Sequence, residues 1–535
     1  MSENQRTLPE LLRAAAATDP DRVACQLPSR PLGSLTYAEL ETRSRQVAAG
    51  LARLGLARGD RLGVWLPTLP EWFVLLFAAA RLGLVVIAVN PRYRSKELVD
   101  VLGTAGAAAV VVPTSFVGVD YPALLADVVP LLPALRHVVL VDPTGRPVAL
   151  PVAGPLPHPI GFDRLLGEQE IVDAGVSGAD LVVIFTTSGT TSSPKLAAHT
   201  QQAVARHASN VAAAFDLHPG DVSAIALPMA GVFGFSSALG ALAGGATCLL
   251  QPVFSAETLA RWLAEGRVTH LNAADNMLSA VLQALPADRS RLRWRDGAFA
   301  SFSGGGIELV RQAERQTGVR LSGLYGASEV FALAARWSPD LPAADRARSG
   351  GVPISRDIDV RAADPDTGQV LPPDVPGELQ LRGYNVCREY YANPTATAAA
   401  RTEDGWFRSG DLGHTLADGG FVYLSRLNDT LRLRGFLTDP VEIEEFLGTH
   451  PGVRLAQVVG VPRPGEGDVP VAFVELEPGA EAEPDALVAH CRGGLANYKV
   501  PARVVVVDAF PTVPGPNGEK IQKNRLREEA ARLLG

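Results

Sequence analysis

The chain has 535 residues, 47% apolar and 20% charged, with a net charge of −8. That length exceeds what one core supports, and the composition is that of a folded chain, so two to four domains or subdomains are expected. The acidic balance excludes the basic footprint of a nucleic-acid-binding protein, and any polyphosphate must be gripped by local donors and a metal ion.

Cys25, Cys248, Cys387 and Cys491 are far apart and form no C-x-x-C pair. This argues against a zinc site or disulfide framework and fits a reducing cytoplasm. The N-terminus carries acidic residues and no apolar signal core. The most hydrophobic run, Trp72 to Val89, holds Arg81 in its middle and Gly83 just after. It reads as a buried helix passing into a buried strand, not a membrane span.

In chain order, L-T-Y-A-E-L makes Thr36 a helix N-cap with Glu39 three residues on, a capping box. The helix that follows presents Leu40, Val47, Leu51 and Leu54 on one side and stops at Gly55. Arg61–Leu66 reads as a strand, 71–82 as a helix and Leu84–Val89 as another strand. The same rhythm returns at Ala108–Val112, Val138–Val141, Val222–Leu227 and Thr247–Leu250, which implies parallel βαβ units. Pro and Gly crowd residues 143–161, a connector.

The stretch Phe185–His199, F-T-T-S-G-T-T-S-S-P-K-L-A-A-H, follows the apolar strand Leu181–Phe185. It offers backbone N–H groups, hydroxyls and a cation, the donor set a polyphosphate needs. It lacks the glycine a Walker loop places before its Lys-Ser/Thr pair. Taken alone it reads equally as a polar turn or as a phosphate cradle.

Beyond about Gly350 the strands Asp359–Ala363, Glu378–Arg382 and Phe421–Leu424 alternate with Pro/Gly/Asp turns, a small β-rich subdomain. From Asp429 the order reads β-α-β-β-α-β, ferredoxin-like. Its first strand is Leu431–Leu433, Asp439 caps a helix with Pro440 at its first position, and strands Val453–Val461 and Val469–Leu476 follow. Pro484–Leu495 is the second helix and Arg503–Val507 the last regular strand, ahead of a tail with Lys520 and Lys523. The fold class is thus α/β: a large N-terminal domain (1–428) of α/β subdomains plus the β-rich one, then a small α+β C-terminal domain (429–535).

Seven signatures, taken in order, resemble those of the adenylate-forming superfamily of acyl-CoA synthetases, adenylation domains and beetle luciferases. They are T-T-S-G-T-T-S-S-P-K, Y-G-A-S-E (325–329), G-E-L-Q-L-R-G (377–383), G-W-F-R-S-G-D-L-G (405–413), S-R-L-N-D (425–429), R-G-F-L-T-D-P-V-E-I-E-E (434–445) and N-G-E-K-I-Q-K-N-R-L-R (517–527). The resemblance spans nearly the whole chain. It implies an ATP-dependent ligase that joins a carboxylate to the α-phosphate of ATP, a reaction governed by charge neutralisation and in-line positioning. It assigns ATP contacts to Thr187, Ser188, Gly189, Thr190, Thr191, Lys195, Gly305, Tyr325, Gly326, Ser328, Asp411 and Arg426. Within that set Tyr325 flanks the adenine, Asp411 takes the ribose hydroxyls and Arg426 the ribose or phosphate. Glu329 becomes the Mg²⁺ ligand, Asp429 the hinge of a mobile C-terminal domain, and Lys520 the catalytic lysine. Lys523 competes with Lys520, though the I-Q-K-x-x-L-R register favours Lys520.

The chain departs from the family pattern at several places. Ser192 and Leu196 replace common glycines. Gly231, in P-M-A-G-V-F-G-F, stands where many acyl-CoA synthetases carry His or an aromatic, which leaves space beside Phe233 and Gly306 for a bulkier acyl group. Asp275 and Asn276 stand where relatives have Val-Pro-Thr, and would bind a polar substituent of the substrate or pair with backbone. The F-D-x-S pattern of amino-acid activation is absent around Phe233 and no carrier domain is expected after Gly535, which argues against an amino-acid-activating module. The expectation is an acid–CoA ligase for an aromatic or medium-chain acid, with ATP, Mg²⁺ and coenzyme A. A carrier-protein thiol, an amine acceptor or a non-carboxylate oxyanion substrate is the alternative, and the oligomeric state (monomer or homodimer) stays open.

Overall fold

A computed structural model of the chain describes residues 6–31, 33–148, 156–187, 194–301, 306–427, 429, 431–433, 436–438, 440–463, 467–495, 497–515 and 518–534. They fall into two compact units: Met1–Asp359 with Leu381–Phe407, and Val360–Gln380 with Arg408–Gly535.

In the first unit, the capped helix forms as Tyr37–Arg53. Thr36 Oγ1 accepts from Glu39 N–H at 3.1 Å, and the Glu39 carboxylate accepts from Thr36 N–H at 2.8 Å. Leu40, Val47 and Leu51 are buried on its inner face. The apolar run resolves into the helix Pro70–Leu82 and the strand Val85–Ala88. Every residue of that helix is buried. The Arg81 guanidinium survives there because it donates to Ser44 Oγ (3.1 Å), to Val172 O (2.6 Å) and to the Glu41 carboxylate. Among the described residues no helix is long and apolar enough to cross a membrane.

The βαβ rhythm builds an eight-stranded sheet in the order Glu389–Tyr390, Leu196–Thr200, Leu181–Thr186, Val85–Ala88, Arg61–Val64, Ala109–Pro113, His137–Val141, Pro159–Gly161. From Leu181–Thr186 onward all neighbours are parallel. Leu196–Thr200 runs antiparallel to Leu181–Thr186, and Glu389–Tyr390 antiparallel to Leu196–Thr200. The segment 143–161, expected as a connector, therefore ends in an edge strand too short to show a period. A five-stranded sheet holds His270–Leu271, Val222–Ile225, Thr247–Leu250, Val23–Gln26 and Ser34–Thr36. Ala273–Ala274, Ala298–Ala300 and Ser322–Ala327 run parallel, with Phe331–Arg336 and Gly350–Pro353 completing that side antiparallel.

In the second unit, Phe407–Thr415 pairs antiparallel with Phe421–Arg426. Sequence reasoning misses Phe407–Thr415, because F-R-S-G-D-L-G-H-T has no β-branched residue before its last position and no alternation; Gly410 sits at φ +68° and a bulge falls between Leu412 and Gly413. The C-terminal part carries Leu431–Leu433, Pro440–Leu447, Val453–Arg463, Gly467–Leu476, Pro484–Gly494 and Arg503–Val506, in the predicted order. An added strand, Phe436–Thr438, pairs with Leu431–Leu433. The first and last of the predicted strands share one edge of Gly467–Leu476, while Val453–Arg463 takes the other. Asp439, the expected cap, lies outside the described residues.

Arg503–Val506 is not the last regular element. A hairpin of Thr512–Gly515 and Gly518–Ile521 follows, then the helix Lys523–Leu534. The hairpin is short and rich in Pro, Gly and charge, so no period betrays it. The helix buries only Leu526 and Ala530.

Candidate active site

In the first unit, the Ser/Thr-rich loop joins a parallel strand to its antiparallel return. The two stems close on each other: Thr187 N–H donates to Lys195 O at 2.9 Å, and Thr186 faces Leu196 in register. Ser188, Gly189, Thr190 and Thr191 lie outside the described residues, as does Gly305. Tyr93, which sequence reasoning passed over, meets Thr186 Oγ1 through its hydroxyl at 2.8 Å.

The turn Ala327-Ser328-Glu329-Val330 reaches this loop base across more than a hundred residues of chain. Ser328 Oγ donates to Thr186 O (3.1 Å), and His199 Nε2–H donates to Ser328 O (2.7 Å). Glu329 is held at both ends. Its main-chain oxygen accepts from Cys387 N–H (2.6 Å) and its Oε1 from the Tyr390 hydroxyl (2.9 Å). The Lys195 ammonium lies over the Tyr390 ring, 4.9 Å from the centroid. Neither His199 nor Tyr390 was among the expected site residues. His199 closes the Ser/Thr-rich stretch but reads as a strand residue, and nothing local says which phenol of Tyr390-Tyr391 turns inward.

Tyr325 is buried on the strand Ser322–Ala327, opposite Ala335. Gly326 falls at a bulge in that pairing, and a Cβ there would lie 2.4 Å from Ala332 Cα and 2.5 Å from Phe331 O. Phe331 and Leu333 take left-handed backbone (φ +61° and +62°), a conformation that costs side-chain-bearing residues and persists where packing over-determines it. The overdetermination is visible: Phe331 is stacked between His199 (4.0 Å) and His207 (4.6 Å). Complete burial pushes both imidazoles down to about 4, so both are neutral at pH 7.

The expected substrate-side residues are less uniform. Gly231 is the buried N-cap of the helix Val232–Ala243 with φ −101°, so the backbone there does not demand glycine. Phe233 is 2% exposed and packs with Phe215, Leu227 and Leu324. Gly306 opens the helix Gly306–Thr317, where a Cβ would approach Ala347 O at 2.9 Å. Asp275 is 2% exposed at the first turn of the helix Asp275–Gln283. Its Oδ1 accepts from Asn276 N–H (2.8 Å), and its Oδ2 faces Ser301 Oγ at 3.4 Å. Asn276 is exposed.

In the second unit, Asp411 and Arg426 stand opposite each other on paired strands, Nη1 to Oδ1 at 3.0 Å, with Asp411 buried and Arg426 exposed. Asp429 accepts from the Arg527 guanidinium through its carboxylate. Lys520 lies on the strand Gly518–Ile521, in register with Val513; its side chain is outside the described residues. Lys523 is bound to Glu444 Oε1 at 2.8 Å, and that same oxygen accepts from Val458 N–H.

Among the described residues no group of three His, Cys, Asp or Glu side chains could hold a metal ion. Glu329 still fits Mg²⁺, an ion bound through one or two carboxylates together with substrate phosphates rather than by an all-protein cage.

A profile of the AMP-binding enzymes matches residues 12–391, and one of the AMP-binding enzyme C-terminal domain matches residues 442–514. The chain belongs to the AMP-binding enzymes, and it is an ATP-dependent, adenylate-forming ligase. YngI of Bacillus subtilis (strain 168), which carries the name of an acyl-CoA synthetase, is 30% identical over 99% of this chain and 98% of its own. The human mitochondrial medium-chain acyl-CoA ligase ACSF2 is 28% identical over 99% of this chain and 88% of its own. The ATP-bound structure of MatB from Rhodopseudomonas palustris superposes with a TM-score of 0.84 at 26% identity, covering 98% of this chain and 100% of MatB.

Proposed function

We propose that the enzyme activates an aromatic or medium-chain carboxylic acid and transfers it to coenzyme A. A carboxylate oxygen attacks the α-phosphorus of ATP and pyrophosphate leaves, giving an acyl-adenylate. The thiol of coenzyme A then attacks the acyl carbon and AMP leaves. One observation carries the nucleotide part of this reading: both stems of the Ser/Thr-rich loop meet the Ser328–Glu329 turn, so a cation, hydroxyls and a carboxylate converge. The full-length kinship with proteins named as acyl-CoA synthetases and ligases supports the acceptor.

In this reading Thr187 to Thr191, Lys195 and Ser328 take the phosphates, with Gly305 and Gly326 letting the backbone come close. Tyr325 flanks the adenine, while Asp411 accepts from the ribose hydroxyls and Arg426 donates beside it. Glu329 would hold Mg²⁺, which when bound neutralises phosphate charge. Lys520 bridges the carboxylate and the α-phosphate; Lys523 is the weaker candidate because Glu444 already engages it. Gly231 leaves room for the acyl group. Residues from Asp429 onward form the mobile domain.

Pyrophosphate release across a panel of aromatic and medium-chain acids, with and without coenzyme A, tests this when the product is weighed by mass spectrometry. The expected product is an acyl-CoA, and Lys520→Ala should slow adenylation by about 10²–10³. An AMP ester that persists with coenzyme A and is consumed only by an amine or a carrier protein would overturn the acceptor. No release with any acid would overturn acid activation itself.

A further inference from the structure

We propose that Tyr390 is a positioning residue for metal-bound ATP: its phenol orients the Glu329 carboxylate and its ring keeps Lys195 beside that carboxylate without neutralising it. The inference rests on the reading of Glu329 as the residue that takes Mg²⁺.

Tyr390 is buried, and its place is set by backbone. It pairs with Ala197 on the edge of the eight-stranded sheet, two residues after Lys195, and its N–H donates to Thr397 Oγ1 at 3.0 Å. Three residues earlier, Cys387 N–H donates to Glu329 O at 2.6 Å. The segment 387–390 therefore grips Glu329 by main chain and side chain at once. A carboxylate with Oε1 committed to the phenol at 2.9 Å has lost most of its rotational freedom, which is what a ligand partner beyond the metal contributes in metal sites generally.

The ring does separate work. Lys195 and Glu329 carry opposite charges on neighbouring segments, and a direct ion pair would consume both before nucleotide arrives. The ammonium instead lies on the ring face, 4.9 Å from the centroid. Cation and carboxylate are thus both presented towards phosphate chemistry, the cation for oxygens and the carboxylate for the metal.

The test uses the full-length protein and α,β-methylene-ATP, titrated calorimetrically with magnesium chloride or with EDTA and without any acid. In the wild type, magnesium should tighten binding. Tyr390→Phe keeps the ring and removes the hydroxyl, so the tightening should shrink by about tenfold while the affinity in EDTA is retained. Tyr390→Leu removes the ring as well and should weaken binding in both media. A merely structural role would move the two media together in Tyr390→Phe, and a wild-type magnesium effect in that variant would overturn the proposal. Glu329→Gln separates the layers. If it abolishes the magnesium effect and Tyr390→Phe does not, only the role of Tyr390 falls; if it leaves the effect intact, the assignment of Glu329 falls first. The double variant Tyr390→Phe with Glu329→Gln should match Glu329→Gln alone, and a lower affinity in magnesium than that of Glu329→Gln would also count against Tyr390 acting through Glu329.

Discussion

Lowering the pH from 7 to 5 should destabilise the first unit through His199 and His207, and His207→Gln should remove about half of that effect. Both rings are wholly buried against Phe331, and burial pushes each down to about 4 from an ordinary value of 6.5. His207 is committed to its neutral form: Nε2–H donates to Ala332 O (2.7 Å), and Nδ1 faces the Tyr384 hydroxyl (3.3 Å), which itself accepts from Asn210 Nδ2 (2.8 Å). Because the folded value is depressed, the unfolded chain takes up a proton between pH 6.5 and 4 that the folded chain refuses. Stability therefore falls with pH through that window and the loss levels off below about 4. Between pH 7 and 5 linkage gives ~2 kcal/mol per imidazole, roughly 3–4 kcal/mol for the pair. The assay is urea unfolding followed by tryptophan fluorescence, since all six tryptophans lie in the first unit. Carboxylates titrate alike in wild type and variant, so the difference in slope isolates His207. A His207→Gln protein that loses as much stability as the wild type between pH 7 and 5 would refute the reasoning.

Other outcomes follow from the same structure. Glu41→Met strands the fully buried Arg81 guanidinium and should cost about 3–5 kcal/mol, whereas Glu41→Met with Arg81→Met should cost less than the sum of the two single changes; urea unfolding of wild type, both singles and the double decides, and additive effects would remove the coupling. Gly326→Ala pushes a Cβ into the Phe331–Ala332 backbone and should lower kcat/KM for ATP about 10²-fold with the near-UV spectrum retained; unchanged kinetics would show that the turn can give. Asp429→Pro removes the N–H that donates to Arg426 O (2.9 Å) and the carboxylate that holds Arg527, and should impair one half-reaction, adenylation or thiol transfer, far more than the other. Equal rates in both would end its role as hinge.

Local pattern made much of this fold legible. The Thr36–Glu39 capping box, the Thr247–Leu250 strand and the split of the apolar run at Gly83 each rest on a few neighbouring residues whose physics is self-contained. Phe407–Thr415 and the hairpin Thr512–Gly515/Gly518–Ile521 escaped because their strand character comes from pairing partners and not from their own side chains. The polar pair Asp275 and Asn276 shows a second limit. Composition raised the question of what Asp275 binds; its chain neighbour supplies Asn276 N–H, and only the fold brings in Ser301 Oγ from 26 residues away.

The sequence by itself determined the adenylate-forming family, through seven ordered signatures, and the α/β class, through strand–helix periodicity. Only the tertiary structure decided who meets whom. Cys25 and Cys248, two hundred residues apart, are register partners on adjacent strands. Arg81 finds Glu41, and Glu329 finds Tyr390 with Lys195 stacked beyond it. The reason is physical: periodicity and caps are properties of a few consecutive residues. Side-chain partnership depends on strand order and register, which are settled by the packing of the whole sheet.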